Sequence, residues 1–144
     1  MISQTAEYAL RAAVFLAASG EIRRPAREIS TATQIPGNYL AKILGALARA
    51  GIVEAQRGPH GGFVLARDPR EVTVLELVCA VEPWRRTETC PLGRPEHAGR
   101  LCALHLMLSE AELRIEDALR ACTLRQLVAP SNGESCSFPG SPAS

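Results

Sequence analysis

Aromatic residues are scarce in this chain, at 4%. Sheet-rich domains rely on aromatic and β-branched side chains, so this scarcity, beside abundant alanine and leucine, predicts helices rather than a β-sandwich. Long apolar runs are missing too. The longest, such as residues 12–18, fall far short of the roughly 20 residues that span a bilayer, so no membrane segment is expected. The N-terminus lacks a basic segment followed by an apolar run and a cleavage site. No secretory signal is therefore expected, and the expected location is the cytoplasm. Also lacking are paired carboxylates, an activated serine and a phosphate-binding loop, which speaks against an enzyme. The cysteines number five, Cys79, Cys90, Cys102, Cys122 and Cys136. An odd count in a reducing compartment argues against a disulfide framework and leaves metal, redox or burial roles open.

What is present points to a folded domain. Hydrophobic residues make up 47% of 144 positions, enough to exclude disorder throughout and to build one sizeable core. The net charge of +1 hides an asymmetry. Residues 1–70 hold nine basic and five acidic side chains, a balance of +4; residues 71–144 hold seven and ten, a balance of −3. A basic first half suits a phosphate-contacting surface, and equally an unevenly charged solvated one.

Apolar periodicity predicts a largely buried helix over residues 4–18, ended by Ser19 and Gly20. Pro25 opens a second helix that runs to about Thr33. After the break at 34–37, a third helix over 38–50 buries Leu40, Ile43, Leu44 and Leu47. Asn38, Tyr39, Ala41, Lys42, Gly45 and Arg49 then lie on or near its other face. Two short strands, near 52–55 and 62–65, flank the turn-rich segment 56–61. Three helices and a small hairpin are the pattern of a winged helix, the short turn between the second and third helices making a helix-turn-helix.

Thr73 and Glu76 have the spacing of a capping box ahead of a short apolar helix over 74–81. Segment 83–100 is rich in proline, glycine and arginine and reads as an irregular loop. From Leu101, the series Leu104, Leu108, Ala111, Ile115, Ala118 and Cys122 alternates steps of three and four. That narrow seam predicts a long helix that pairs with a second copy of itself, or packs on its own domain. Thr123 caps a last short helix over 124–128, and residues 130–144 read as a disordered tail. Cys79 and Cys122 fall in apolar helical patterns and are expected to be packed. Cys136 lies in the tail.

The stretches Thr5-Ala6-Glu7-Tyr8-Ala9-Leu10-Arg11, Tyr39-Leu40-Ala41-Lys42-Ile43-Leu44 and Arg57-Gly58-Pro59-His60-Gly61-Gly62-Phe63 resemble the Rrf-type winged-helix regulators over about residues 1–128. That family includes regulators of iron–sulfur assembly and of iron, and sensors of nitric oxide. The resemblance implies a mainly α fold with a small β wing and a long C-terminal dimerisation helix. It implies a homodimeric transcription regulator that binds a pseudo-palindromic operator in double-stranded DNA. Residues 1–82 would form the DNA-binding domain, 83–100 the sensor loop, and 101–129 the dimerisation helix with its short terminal helix.

On such a domain the third helix enters the major groove. Asn38, Tyr39 and Lys42 lie on its first turns; Asn pairs with adenine, and Lys with guanine or phosphate. In the wing, Gly58, Gly61 and Gly62 allow close backbone approach, and Arg57 suits a narrow minor groove. His60 stands at the tip, where it would touch phosphate or remain exposed.

Cluster-binding relatives carry three cysteines spaced C-x5-C-x5-C before the long helix. Here Cys90 and Cys102 match the outer two, but the middle position is Glu96, with His97 beside it. His105, three residues after Cys102, matches a histidine ligand of the assembly regulators. Glu7 matches an acidic ligand that some relatives draw from the first helix of the second subunit. The resemblance thus implies a two-iron, two-sulfur cluster on Cys90, Cys102 and His105, completed by Glu7 or Glu96. The alternative is a clusterless regulator of the same fold that senses through a cysteine thiol or a small metabolite.

Overall fold

A computed structural model describes residues 2–97 and 100–128, without the side chain of His97. The tail expected over 130–144, with Cys136, lies outside the described residues. Helix α1 (Gln4–Ala18) starts at Ser3, whose Oγ accepts the Ala6 N–H at 3.1 Å. Its buried face is Ala6, Ala9, Ala12, Ala13 and Leu16. Four alanines let neighbouring helices approach closely, so α1 becomes the central post of the domain. Helices α2 (Ala26–Thr33) and α3 (Gly37–Arg49) are joined by a tight turn. There Gln34 takes a left-handed conformation, and the Ser30 hydroxyl donates to the Ile35 carbonyl at 2.6 Å. Ile29, Ile35, Leu40, Ile43, Leu44 and Leu47 bury the apolar stripes of both helices against α1. Losing one of these leucines to alanine would cost about 2–5 kcal/mol.

Strands β1 (Val53–Gln56) and β2 (Gly62–Leu65) pair antiparallel, with Val53 opposite Leu65 and Gln56 opposite Gly62. Arg24 and Phe63 exchange two backbone hydrogen bonds, of 2.9 and 2.8 Å. They moor the wing to the residue just before Pro25, the N-cap of α2. Helix α4 (Val74–Val81) opens with the expected capping box between Thr73 and Glu76. Helix α5 (Ala103–Ala121) follows the loop, in which Pro95–His97 make one 3-10 turn. Helix α6 (Leu124–Val128) returns to pack against α1. There Leu124 N donates to Val72 O at 2.8 Å, and the Leu124 side chain is fully buried in the main core. Among the described residues no helix is long and apolar enough to cross a membrane.

Two expectations are corrected. The long helix begins at Ala103, not Leu101: Cys102 is its N-cap, and Leu101 lies outside the helix and exposed. An N-cap must leave helical backbone angles, a restraint that the apolar periodicity does not register. Cys79 is exposed rather than packed, because α4 buries Val74, Leu75, Leu77 and Val78 and turns Cys79 outward. Cys122 is half-buried beside Ala6, Val74 and Val78, in keeping with its apolar setting.

Candidate nucleic-acid interface and cysteine site

Asn38, Tyr39, Ala41 and Lys42 are all exposed on the outer face of α3, while the opposite stripe is buried. Tyr39 is also held from behind. Its ring meets that of Tyr8 edge-on at 6.2 Å, and the Arg11 guanidinium lies 5.6 Å from the Tyr8 ring. Glu7 pairs with Arg11 at 3.9 Å. A half-exposed aromatic with a fixed back is placed to contact a partner at little entropic cost.

The basic residues of the first half divide into two sets. Arg11, Arg23, Arg24, Arg67 and Arg70 each pair with a carboxylate. Arg27, Lys42, Arg49 and Arg57 have no ion pair among the described residues, and all four are exposed. These unpaired cations sit on α2, α3 and the wing. Arg27 and Arg49 had not been singled out as reading residues; their lack of an acidic neighbour is a property of the fold. In the wing, Arg57, Gly58 and His60 are exposed. Gly61 is obligatory, because a Cβ there would stand 2.2 Å from the Gln56 carbonyl oxygen. Gly62, at φ +140°, backs onto Arg24.

The second cluster lies where the loop meets α5. Segment 86–90 runs beside the helix and is tied to it repeatedly. The Arg86 guanidinium donates to Glu116 at 2.7 and 3.1 Å, and Arg120 donates to the other oxygen of Glu116 at 2.6 Å. Thr87 donates its N–H to Glu112 at 2.9 Å, and its hydroxyl donates to the same carboxylate. Both glutamates are held below the usual carboxylate range. For Glu112 the chief cause is the Thr87 hydroxyl; for Glu116 it is the Arg86 guanidinium. At the end of this strap Cys90 Sγ comes to 3.8 Å from Cys102 Sγ.

His105 is buried, and its Nε2 is 2.7 Å from the Thr87 carbonyl oxygen. A carbonyl only accepts, so Nε2 is the donor of this bond, and Nδ1 is the ring nitrogen that this bond does not use. A histidine that ligates metal commonly donates its other N–H to a carbonyl in this way. The remaining predicted ligands are apart. Glu96 is exposed on the 3-10 turn, Glu7 is on α1 beside Arg11, and the His97 side chain is outside the described residues. Among the described residues no three His, Cys, Asp or Glu side chains form a group that would hold a metal ion. The strap residues Arg86, Thr87, Glu112 and Glu116 were not anticipated. The polar stripe His105, Ser109, Glu112, Glu116, running beside the apolar seam at helical spacing, was the available signal.

Residues 2–130 match the Rrf2 family, described as an iron-dependent transcriptional regulator. A putative HTH-type transcriptional regulator of Aquifex aeolicus is 30% identical over 131 residues, covering 89% of this chain and 91% of that protein. The HTH-type transcriptional regulator IscR of Photorhabdus laumondii is 30% identical over 104 residues, covering 72% of this chain and 63% of its own. Among solved structures, CymR, the global cysteine regulator of B. subtilis, superposes with a TM-score of 0.71 at 24% identity, over 89% of this chain and 95% of that one. That last likeness shows the fold alone.

Proposed function

Because the chain belongs to the Rrf2 family of DNA-binding transcriptional regulators, we propose that it grips a pseudo-palindromic operator as a homodimer under control of the Cys90–Cys102 site. Asn38, Tyr39 and Lys42 would meet base edges and phosphates in the major groove, with Arg57, Gly58, His60 and Gly61 of the wing along the adjoining backbone. The observation that carries this reading is the confinement of the unpaired cations of the first half to α2, α3 and the wing. A gel shift against the gene's own promoter region tests it with Tyr39→Ala, Lys42→Ala and Arg57→Ala. Each variant should weaken binding by about 1–3 kcal/mol, or roughly 5- to 150-fold. Unchanged affinity in all three refutes the assigned surface.

For control, residues 1–82 act as the reading domain, 83–100 as the sensing loop, and 101–129 as the dimer element. Cys90 and Cys102 would supply two sulfur ligands of suitable proximity, and with Nε2 on the Thr87 carbonyl, Nδ1 of His105 would make a third bond. Glu96, or Glu7 from the second copy, would complete the set. A bound two-iron, two-sulfur cluster would supply a group whose charge and occupancy respond to oxidants, nitric oxide and iron supply. The chain's own part is to hold the ligands on a strap that is anchored on the dimer helix. Anaerobically purified and reconstituted protein should contain iron and sulfide and absorb at roughly 300–600 nm. Absence of all three overturns the cluster.

The same 3.8 Å approach of sulfurs supports a second reading, a thiol switch. A disulfide needs an S–S bond of about 2.05 Å, within reach of a small side-chain movement. The two thiols would give up two electrons and two protons to hydrogen peroxide, which leaves as two waters. Mass analysis of peroxide-treated apoprotein would then show a Cys90–Cys102 bridge, lost in Cys90→Ser.

A further inference from the structure

The face of α4 that carries the exposed Cys79 forms one wall of a surface cavity of about 490 Å³. Its other walls are Trp84, Arg85, Arg86 and Glu88 from the loop, and Glu116 and Arg120 from α5. This volume is within the range of small-molecule sites, roughly 300–1,000 Å³. The cavity has two chemical halves. Leu75 and Trp84 offer apolar surface. The remainder is charged, with three guanidiniums against two carboxylates, one of which, Glu116, is already shared between Arg86 and Arg120.

Arg85 in this lining is exposed and has no ion pair among the described residues. A surplus guanidinium beside the aromatic surface of Trp84 describes the complement of a carboxylate joined to an apolar body.

We propose that this cavity is an effector site for a small organic carboxylate with an apolar or aromatic body. Its carboxylate pairs with Arg85, and its body lies against Trp84 and Leu75. The position gives the site a regulatory consequence. Arg86 is the first anchor of the strap on α5, and Cys90 lies four residues further along it. A ligand carboxylate on Arg85 brings a negative charge beside the neighbouring Arg86 guanidinium, which Glu116 holds, and so acts on the strap that carries the cysteine pair. The inference goes beyond the proposed operator and cysteine chemistry and requires neither a cluster nor a disulfide.

Trp84 is the sole tryptophan of the chain, so its fluorescence reports on this cavity directly. Full-length apoprotein, without DNA or metal, is titrated with phenylbutyrate and, in parallel, with the uncharged phenylbutanol. The carboxylate should change Trp84 emission saturably below ~10 mM, and the alcohol should bind at least ~5-fold more weakly. Arg85→Ala should lose a similar factor, and Arg85→Lys should recover part of it. Arg85 has no partner to lose, and an unchanged melting temperature will show that the fold is intact. The proposal is overturned if emission does not saturate, if the alcohol binds as well as the carboxylate, or if Arg85→Ala titrates like the parent. A gel shift on the same samples keeps this outcome separate from the operator reading.

Discussion

Gly62 shows how one position constrains the wing. Its φ is +140°, and a Cβ there would stand 2.7 Å from the carbonyl oxygen of Arg24. That carbonyl is the acceptor that moors β2 to the start of α2. Gly62→Ala therefore has to break the mooring or distort the strand, a strain of about 1–3 kcal/mol. The expected outcome is a lower melting temperature and weaker operator binding together, read by calorimetry and gel shift. Gly58, at φ +109° in open space, is strained by substitution through backbone conformation alone, so Gly58→Ala should cost less. Lys42 tests a different quantity. As an unpaired cation it would release one counterion per half-site. Lys42→Ala in a dimer should then flatten the slope of log affinity against log salt by about 2. An unchanged slope would place Lys42 off the phosphates.

The strap is the element whose chemistry the fold adds to the sequence. Glu116 is largely buried and held between Arg86 and Arg120. Its folded pKa is depressed, first by the Arg86 hydrogen bond and against the opposing effect of burial. The stabilisation is thus fully present above the unfolded glutamate value of about 4.3 and is lost as pH falls through the lower folded value. Glu116→Gln should melt at a lower temperature than the parent at pH 6, and the gap should narrow progressively as pH falls below the unfolded glutamate value of about 4.3. A gap that does not narrow at all as pH falls below the unfolded glutamate value would mean that the carboxylate charge is not what holds the strap. Local signals made much of the fold legible in advance. The helices, the hairpin and the Thr73 capping box all rest on short-range periodicity and turn chemistry. The strap escaped because Arg86 and Glu116 are thirty residues apart and share no local pattern. Cys79 was misread for a related reason: an octet such as α4, apolar at every position but Glu76, does not say which edge faces out. The approach of Cys90 to Cys102 was legible only as a register match, since nothing local brings residues twelve apart to 3.8 Å.

At the scale of the whole molecule, and among the described residues, α5 is covered on its polar side and largely open on its apolar one. His105 and Glu116 are buried against the chain's own strap. Leu104, Leu108, Ile115 and Ala118 are only half-buried, Ala111 is exposed and Met107 is 60% exposed. A helix that serves only its own domain turns its apolar stripe inward. In the proposed homodimer this seam meets a second copy of the same helix, which its steps of three and four suit. A homodimer also accounts for the position of the reading surface. One α3 offers few base contacts, whereas two on a rigid frame gain from effective concentration, typically by 10²–10⁴-fold. Ala111→Glu separates dimerisation from folding, because residue 111 is exposed within one chain and would be buried between two. The variant should melt like the parent at low concentration, sediment as a monomer, and bind the full operator about 100-fold more weakly while keeping its affinity for a half-site. If it sediments as a dimer with full operator affinity, the two copies meet elsewhere, and the strap on α5 is not positioned to set the spacing of the two recognition helices.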